Sequence, residues 1–172
     1  ALESETDDSE KLDFYKAVKI SMKGMAEFGD RYAAEASKMA SVETDPVRKQ
    51  ELLEIASICA RVPRFGATSF YEAVQSMTLA HICIFMETLG ETTCPGRIDQ
   101  FLNPFYEKDV AAGNISRERA KEILGAFCVK LCETIPMQGE VGTSTLGGLT
   151  SWEVVTIGGQ NKDGNDATNE LS

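Results

Sequence analysis

The feature that most constrains this fold is an uncharged segment from Ala73 to Met86, which is apolar almost throughout. A capping box precedes it, with Ser69 followed three residues later by Glu72, and this pattern predicts a helix. The segment is shorter than the roughly 20 residues that a membrane span needs, and it contains Gln75 and His81. Because a helix that is apolar on all sides is buried on all sides, we expect more covering polypeptide than a free-standing domain of this size supplies.

Composition limits the class of protein. The 172 residues are 42% hydrophobic, which is enough for a domain-sized core and excludes a disordered tail. The net charge is −10, from 17 basic and 27 acidic residues, so nucleic-acid binding is not expected. Five cysteines, an odd count, with no secretory signal in the sequence, indicate a reducing, cytoplasmic location and no membrane segment. Because the chain starts at Ala1 without Met and stops at Ser172 inside a predicted helix, we expect a longer protein.

Four further helices are predicted from apolar residues spaced three and four apart and from capping signals. Gly24 and Gly29 lie inside the first of them, where we expect them to allow close packing. The four helices run from about Ser9 to Ala40, from Pro46 (capped by Asp45) to Val62, from near Asp99 to Val110, and from Ser116 to Leu131.

The composition changes after Pro136, where a segment rich in glycine, serine and threonine predicts a loop. Val154 to Ile157 then predicts a short buried strand that ends at two glycines, Gly158 and Gly159. A turn over 161–164 and the opening of a sixth helix over 166–170 follow. The chain is therefore predicted to be a mainly helical α/β segment with one or few short strands.

Isolated candidates for chemistry have plainer structural explanations. Cys128 and Cys132 lie four apart and could bind a metal, but we favour two small side chains in a core. His81 could be a catalytic base, and we favour a packed histidine. Trp152 could line a cavity, although its spacing alone favours core packing.

The polar loop from Gly90 to Arg97 permits two interpretations. It could supply substrate contacts, because loops held by rigid helices often do. It could equally be a plain connection in which Arg97 pairs with Asp99 or another acid. The sequence spacing leaves both open.

Several blocks together resemble the glycyl radical enzymes, the pyruvate formate-lyase-like family. Their order and spacing agree with the family over roughly residues 14–172. The blocks are Ser69-Phe-Tyr-Glu-Ala-Val-Gln-Ser76, Cys94-Pro-Gly-Arg-Ile-Asp-Gln-Phe101, Asn103-Pro-Phe-Tyr-Glu-Lys-Asp109, the helix from Ile115 to Leu131, Thr156-Ile-Gly-Gly159, and Asp163-Gly-Asn-Asp-Ala-Thr-Asn-Glu-Leu-Ser172.

The resemblance implies a ten-stranded α/β barrel of two parallel half-sheets, of which residues 1–172 would be a central, partial domain. It implies a stable glycyl radical that is installed by a radical-SAM activating enzyme and passed to a cysteine, which attacks a small-molecule substrate. It also implies a homodimer. Such radicals need a dry, closed cavity, which fits the covered helix predicted above.

Both radical centres are missing from this chain. None of its five cysteines stands in the family's Cys-x-Glu-Pro context, and Arg61 to Gly66 places Arg64 where the radical glycine motif needs Gly. We therefore expect the radical residue to lie outside this segment. No catalytic residue, metal or organic cofactor is expected within it, and the isolated chain should be inactive.

The resemblance assigns three substrate-binding residues: Glu91, Thr92 and Trp152. Many dehydratase-like relatives have Gly-His-Ser where this chain has Gly90-Glu91-Thr92, and Trp152 aligns with a cavity-lining aromatic residue. The implied reaction is radical cleavage or formation of a C–C, C–O or C–N bond. Formate C-acetyltransferase is the namesake, with dehydratases, amine lyases, decarboxylases and fumarate-adding synthases as relatives. The alternative is a non-catalytic helical interaction module.

Overall fold

A computed structural model describes residues 8–87, 93–134, 139–146 and 154–172 of the chain. These residues fall into two compact units, Ala1–Gly66 and Ala67–Ser172. We call them the N-terminal unit and the C-terminal unit and describe each by itself.

The N-terminal unit is a helical hairpin of α1 (Ser9–Val42) and α2 (Pro46–Arg61). The predicted start of α2 is confirmed, since the Asp45 carboxylate accepts a hydrogen bond of 2.9 Å from the Val47 amide and Pro46 occupies the first turn. Small residues make up the buried positions of α1, which allows the two helix backbones to come close. They are Ala26, Gly29, Ala33, Ala36 and Ala40.

The two glycines of α1 differ in their surroundings. A Cβ atom added to Gly29 would lie 2.8 Å from Pro63 Cδ and 2.9 Å from the Val62 carbonyl oxygen, so the predicted close packing is confirmed there. A Cβ atom added to Gly24 would meet nothing within 4 Å. The close-packing prediction is therefore wrong for Gly24.

The described residues of the C-terminal unit form four helices and two short strands. The strands pair in parallel, with Gly96 opposite Val155 and Arg97 opposite Thr156. The elements are α3 (Phe70–Glu87), β1 (Gly96–Arg97), α4 (Ile98–Ala111), α5 (Arg117–Glu133), α6 (Glu140–Leu146) and β2 (Val155–Thr156). A mainly helical chain with little strand was predicted, and this is confirmed.

One hydrophobic core joins α3, α4 and α5 in this unit. Phe70 and Leu102 are almost completely buried, and the rings of Phe70 and Tyr106 meet edge to face at 5.8 Å. The other buried members of the core are Ala73, Val74, Ile98, Ala120, Ile123, Phe127 and Leu131. This core fixes α4, the helix that carries the polar side chains considered below.

Capping at the helix ends follows the sequence signals closely. The Ser116 hydroxyl accepts from the Arg119 amide at 3.1 Å, as predicted for α5. At α3 the Ser69 half of the predicted capping box is confirmed, since the Ser69 hydroxyl accepts from the Glu72 amide at 3.2 Å. The Glu72 carboxylate also accepts from the amide and hydroxyl of Thr68, at 2.6 and 2.8 Å.

Three predictions after residue 136 are wrong. Residues 140–146 form the short helix α6 within the predicted loop. A helix was expected to open over 166–170. Instead Asp166 pairs with Gln160 in an isolated bridge, and a turn follows at 170–171. The predicted buried strand shortens to the two residues of β2, and Val154 and Ile157 beside it are 59% and 50% exposed.

Burial on all sides was predicted for α3 but is not seen within this chain. Leu79 and His81 are buried, whereas Ile84 and Met86 near the end of the helix are 42% and 54% exposed. No helix in the described part of the chain is long and apolar enough to cross a lipid bilayer.

Candidate functional site

The most connected polar site in the C-terminal unit lies where β1 leads into α4. We call it the Asp99 network and define it as Arg97, Asp99, Gln100 and Tyr106, with the backbone and side chains from 158 to 172 that they contact. Asp99 and Gln100 lie in the first turn of α4, directly after β1, so the strand and the helix together set their positions.

Asp99 is a fully buried carboxylate whose partners are distant in sequence. Its Oδ2 atom accepts hydrogen bonds from the Gly158 amide at 2.7 Å, the Ser172 hydroxyl at 2.5 Å and the Gln100 side-chain amide at 3.0 Å. Burial by itself raises the pKa of Asp99, but the hydrogen bonds from Ser172, Gly158 and Gln100 together outweigh it and lower the pKa below its ordinary value. Asp99 is therefore ionised near neutral pH.

Arg97 contacts the same backbone segment from the strand side. Its guanidinium donates to the carbonyl oxygen of Gly158 and, at 2.9 Å, to that of Gln160. No ion pair joins Arg97 to a carboxylate in the described ranges, so the pairing with Asp99 or another acid, which was one of the two open alternatives, is not found there. The plain-connection interpretation of this loop thus gives way to a side chain that holds a remote backbone.

Three further hydrogen bonds extend the network toward Ser172. The side-chain amide of Gln100 donates to the backbone carbonyl of Ala167 at 2.8 Å. The side-chain amide of Asn169 donates to the backbone carbonyl of Asp99 at 3.2 Å. The Tyr106 hydroxyl donates to the Glu170 carboxylate at 2.9 Å. Burial, and then this bond to Glu170, raise the pKa of Tyr106, so the phenol stays protonated and acts as a donor.

The backbone over Gly158 and Gly159 follows a path that favours glycine. Both residues have positive φ, 63° and 82°. This conformation turns the Gly158 amide toward Asp99 and its carbonyl toward Arg97. Gly158 and Gly159 were predicted to end this strand, and both follow β2 at backbone angles that other residues rarely adopt.

The three predicted substrate-binding residues, Glu91, Thr92 and Trp152, lie outside the described residues. Arg97 and Asp99, the side chains that the structure brings to Gly158, appear in the sequence analysis as one alternative ion pair and as part of a family block. An arginine and an aspartate flanking a strand-to-helix junction were a signal, but their partners 59 to 73 residues away could not be inferred.

The structure also describes the histidine and the two cysteines that were candidates for chemistry. His81 is buried on α3, which agrees with the packed histidine that was favoured. Cys128 and Cys132 are exposed on α5, so the favoured core interpretation is wrong for both. No group of three or more potential metal-ligating side chains occurs among the residues that the structure describes.

The Asp99 network holds backbone in place through hydrogen bonds. Asp99 is buried and its Oδ2 atom already accepts three hydrogen bonds, so it is not placed to exchange a proton with a substrate. The network fixes the exit of β2 and the segment that follows it.

Comparison with known proteins identifies the family. The profile of the pyruvate formate lyase-like family matches residues 1–172. Isethionate sulfite-lyase of Nitratidesulfovibrio vulgaris is 39% identical over 171 residues, which is 98% of this chain and 21% of that protein. Trans-4-hydroxy-L-proline dehydratase of Clostridioides difficile is 38% identical over 160 residues, 91% of this chain and 20% of that protein.

Solved structures agree with the sequence comparison. A glycyl radical enzyme from Archaeoglobus fulgidus matches with a TM-score of 0.89 and 40% identity, over 98% of this chain and 22% of that one. A solved structure that concerns 1,2-propanediol dehydration in Roseburia inulinivorans also matches this chain. Its TM-score is 0.92 and its identity 38%, over 97% of this chain and 20% of that one. The chain belongs to the pyruvate formate lyase-like family of glycyl radical enzymes, and it spans about a fifth of the length of these relatives.

Proposed function

We propose that this chain is one segment of a glycyl radical enzyme that eliminates or cleaves a group from a small organic substrate. The observation that carries the proposal is the family match over the whole chain, together with relatives named as lyases, dehydratases and a decarboxylase. These names favour elimination and cleavage over the formate C-acetyltransferase reaction of the namesake. The surrounding protein would complete the ten-stranded barrel and form a homodimer.

The radical itself would reside on a glycine outside residues 1–172, installed by a radical-SAM activating enzyme. A thiyl radical on a cysteine, also outside this segment, would take hydrogen from the substrate. On this proposal the described residues shape and position the cavity and hold no cofactor. The isolated chain, mixed with its activating enzyme, should give no glycyl doublet in electron paramagnetic resonance, and a doublet would refute this placement of the radical.

We also propose that Glu91, Thr92 and Trp152 face the substrate. Support comes from the register of the strand pair. Because β1 and β2 run parallel with Gly96 opposite Val155, the chain enters both strands from the same end. In the sequence, Glu91 and Thr92 precede β1 by a few residues and Trp152 precedes β2, so all three residues come before the same end of the strand pair.

The first experiment reconstitutes the full-length enzyme with its activating enzyme, S-adenosylmethionine and a reductant, without oxygen. We expect a glycyl doublet and turnover of one of a panel of small substrates: isethionate, trans-4-hydroxyproline, 1,2-propanediol or glycerol. Pyruvate with coenzyme A is the comparison. Formation of formate from that pair alone would overturn the assignment to elimination and cleavage.

The second experiment tests the substrate residues in that enzyme. Glu91→Gln, Thr92→Val and Trp152→Phe should each change KM or kcat while the yield of glycyl radical stays the same. Lys162→Gln, in the exposed turn after β2, is the matched control and should leave both constants unchanged. Unchanged kinetics for all three variants would contradict the proposed site.

A further inference from the structure

The β1–β2 pair is too short to hold its own register. Each strand has two residues, and the described ladder is Gly96 with Val155 and Arg97 with Thr156. Isolated two-stranded pairs are marginal in water even when they are longer. The register must therefore be fixed by contacts outside the ladder.

Those contacts converge on Gly158, two residues after β2 ends. Its amide donates to the Asp99 carboxylate, and its carbonyl accepts from Arg97. One residue is thus held from both sides by side chains that flank the junction of β1 and α4. Since both contacts are to backbone atoms, they fix the path of the chain at this point whatever side chains surround it.

The same carboxylate also reaches the far end of the segment through the Ser172 hydroxyl. Asp99 therefore joins two points that are 14 positions apart in the chain, Gly158 and Ser172, to the first turn of α4. Loss of this side chain would release both points at once, whereas loss of Ser172 would release one.

We propose that Asp99 is a positioning residue: through Gly158 and Ser172 it sets the position of β2 and of the backbone that follows this strand, and it supports turnover in that way. The expected effect on kinetics rests on the proposed function. The expected effect on the structure rests on the hydrogen bonds alone. Asp99 touches no reacting atom in this proposal. It acts through the backbone of Gly158.

A second buried aspartate on α4 provides the matched control. Asp109 lies ten residues further along and accepts from the Phe70 amide at the start of α3, at 2.7 Å. It has the burial and the helix of Asp99 but holds α3 instead of the segment after β2. A variant of Asp109 should weaken the fold without altering the substrate site.

The experiment compares Asp99→Asn, Asp99→Ala and Asp109→Asn in the full-length enzyme, each activated to a measured yield of glycyl radical. Asp99→Ala should lower kcat/KM by roughly tenfold or more at unchanged radical yield, because small backbone displacements away from the chemistry have costs of this order. Asp99→Asn keeps one acceptor oxygen for Gly158 and should recover part of the loss. Asp109→Asn should stay within about twofold of the parent kcat/KM.

Hydrogen exchange of the peptide covering residues 154–172 separates this inference from the proposed function. Asp99→Ala should speed exchange there, and Asp109→Asn should not. Unchanged exchange in Asp99→Ala overturns the positioning role, whether or not any substrate turns over. Faster exchange in an enzyme that converts no substrate supports the structural half of the inference and counts against the proposed function.

If Asp99→Ala does not fold, Ser172→Ala replaces it, because this variant removes one of the three donors to Asp99, together with the acceptor of the Asn169 amide, and leaves the Gly158 contact in place. Faster exchange near residue 172, with a smaller kinetic effect than in Asp99→Asn, supports the role of the carboxylate. Equal kinetic losses in Asp109→Asn and Asp99→Asn would overturn it, since general destabilisation would then explain both.

Discussion

The two units of this chain use polar side chains over different distances. In the N-terminal unit, ion pairs such as Lys16 with Asp13 and Lys38 with Glu35 join residues one helical turn apart on exposed surface. In the C-terminal unit, the hydrogen bonds of Asp99 reach Gly158 and Ser172, which are 59 and 73 residues away. The first kind of contact supports a helix that its apolar packing already holds, while the second kind determines where the chain runs.

The two kinds of contact stabilise their units in different ways. Exposed pairs at helical spacing contribute up to about 0.5 kcal/mol each, so the hairpin depends mainly on close packing at positions such as Gly29. The buried contacts of Asp99 are costly to break because a buried donor is left without an acceptor. We therefore expect mutations to act through packing in the N-terminal unit and through hydrogen bonding in the C-terminal unit.

The largest effect is expected for Asp99→Ala, which removes the acceptor for the buried amide of Gly158 and for Ser172. We expect local opening of residues 154–172 to become easier by about 3 kcal/mol, since unsatisfied buried donors cost on this scale. Hydrogen-exchange mass spectrometry of the full-length protein measures this local free energy. A change below about 1 kcal/mol would show that the network does not hold the segment.

The effect of Asp99 should also depend on pH. Because its pKa is lowered in the folded state, the ionised carboxylate stabilises the fold above the unfolded-state pKa of about 4. This contribution is lost as the pH falls through the lowered folded-state pKa. The difference in opening free energy between the parent and Asp99→Asn should therefore narrow below about pH 4. A difference that widens in acid would contradict the sign of the shift.

The next effect is expected for Gly29→Ala in the N-terminal unit. The added Cβ atom would lie 2.9 Å from the Val62 carbonyl oxygen, a backbone atom that cannot rotate away. We expect α1 and α2 to open more easily by about 2 kcal/mol, from overpacking less the gain in helix propensity. Gly24→Ala is the control in the same helix, and with nothing within 4 Å it should stabilise α1 by about 1 kcal/mol. Equal effects at the two positions would contradict close packing at Gly29.

A smaller effect is expected for Gly158→Ala in the C-terminal unit. The φ of 63° is unfavourable for alanine by about 1 kcal/mol, and the new Cβ atom would approach Thr168 Oγ1 at 3.4 Å. We expect faster hydrogen exchange over residues 154–160 with α3 and α5 unchanged. Gly164→Ala, also at positive φ but with nothing within 4 Å of the added atom, separates backbone strain from contact.

How far the sequence predicts this fold follows the same division by distance. Local chemistry predicts the helix starts at Asp45 and Ser116, because a capping side chain contacts an amide two or three residues away. Spacing also predicts the extent of α1, α2, α4 and α5. Strand β1 was not predicted, because two residues become a strand only through pairing with β2, and that pairing is set by distant contacts.

The candidate site shows the limit more sharply. A buried aspartate near an arginine suggests an ion pair, yet Arg97 donates to the carbonyls of Gly158 and Gln160 and Asp99 accepts from an amide. Backbone partners carry no sequence signal. Cys128 and Cys132 illustrate the same limit for burial, because helical spacing places them on one face without showing whether that face is covered.

The smallest effect is expected where the N-terminal unit contains a contact between distant residues at the surface. Arg64 donates to the Asp30 carboxylate, and the pair is about 40% exposed at each side chain (39% and 45%). Because water and salt screen such a pair, Arg64→Gln should ease local opening less than Gly29→Ala or Gly158→Ala does. The effect should shrink further when the salt concentration rises. An effect as large as that of Gly29→Ala would show that the hairpin depends on a distant polar contact, as the C-terminal unit does, and would remove the contrast between the two units.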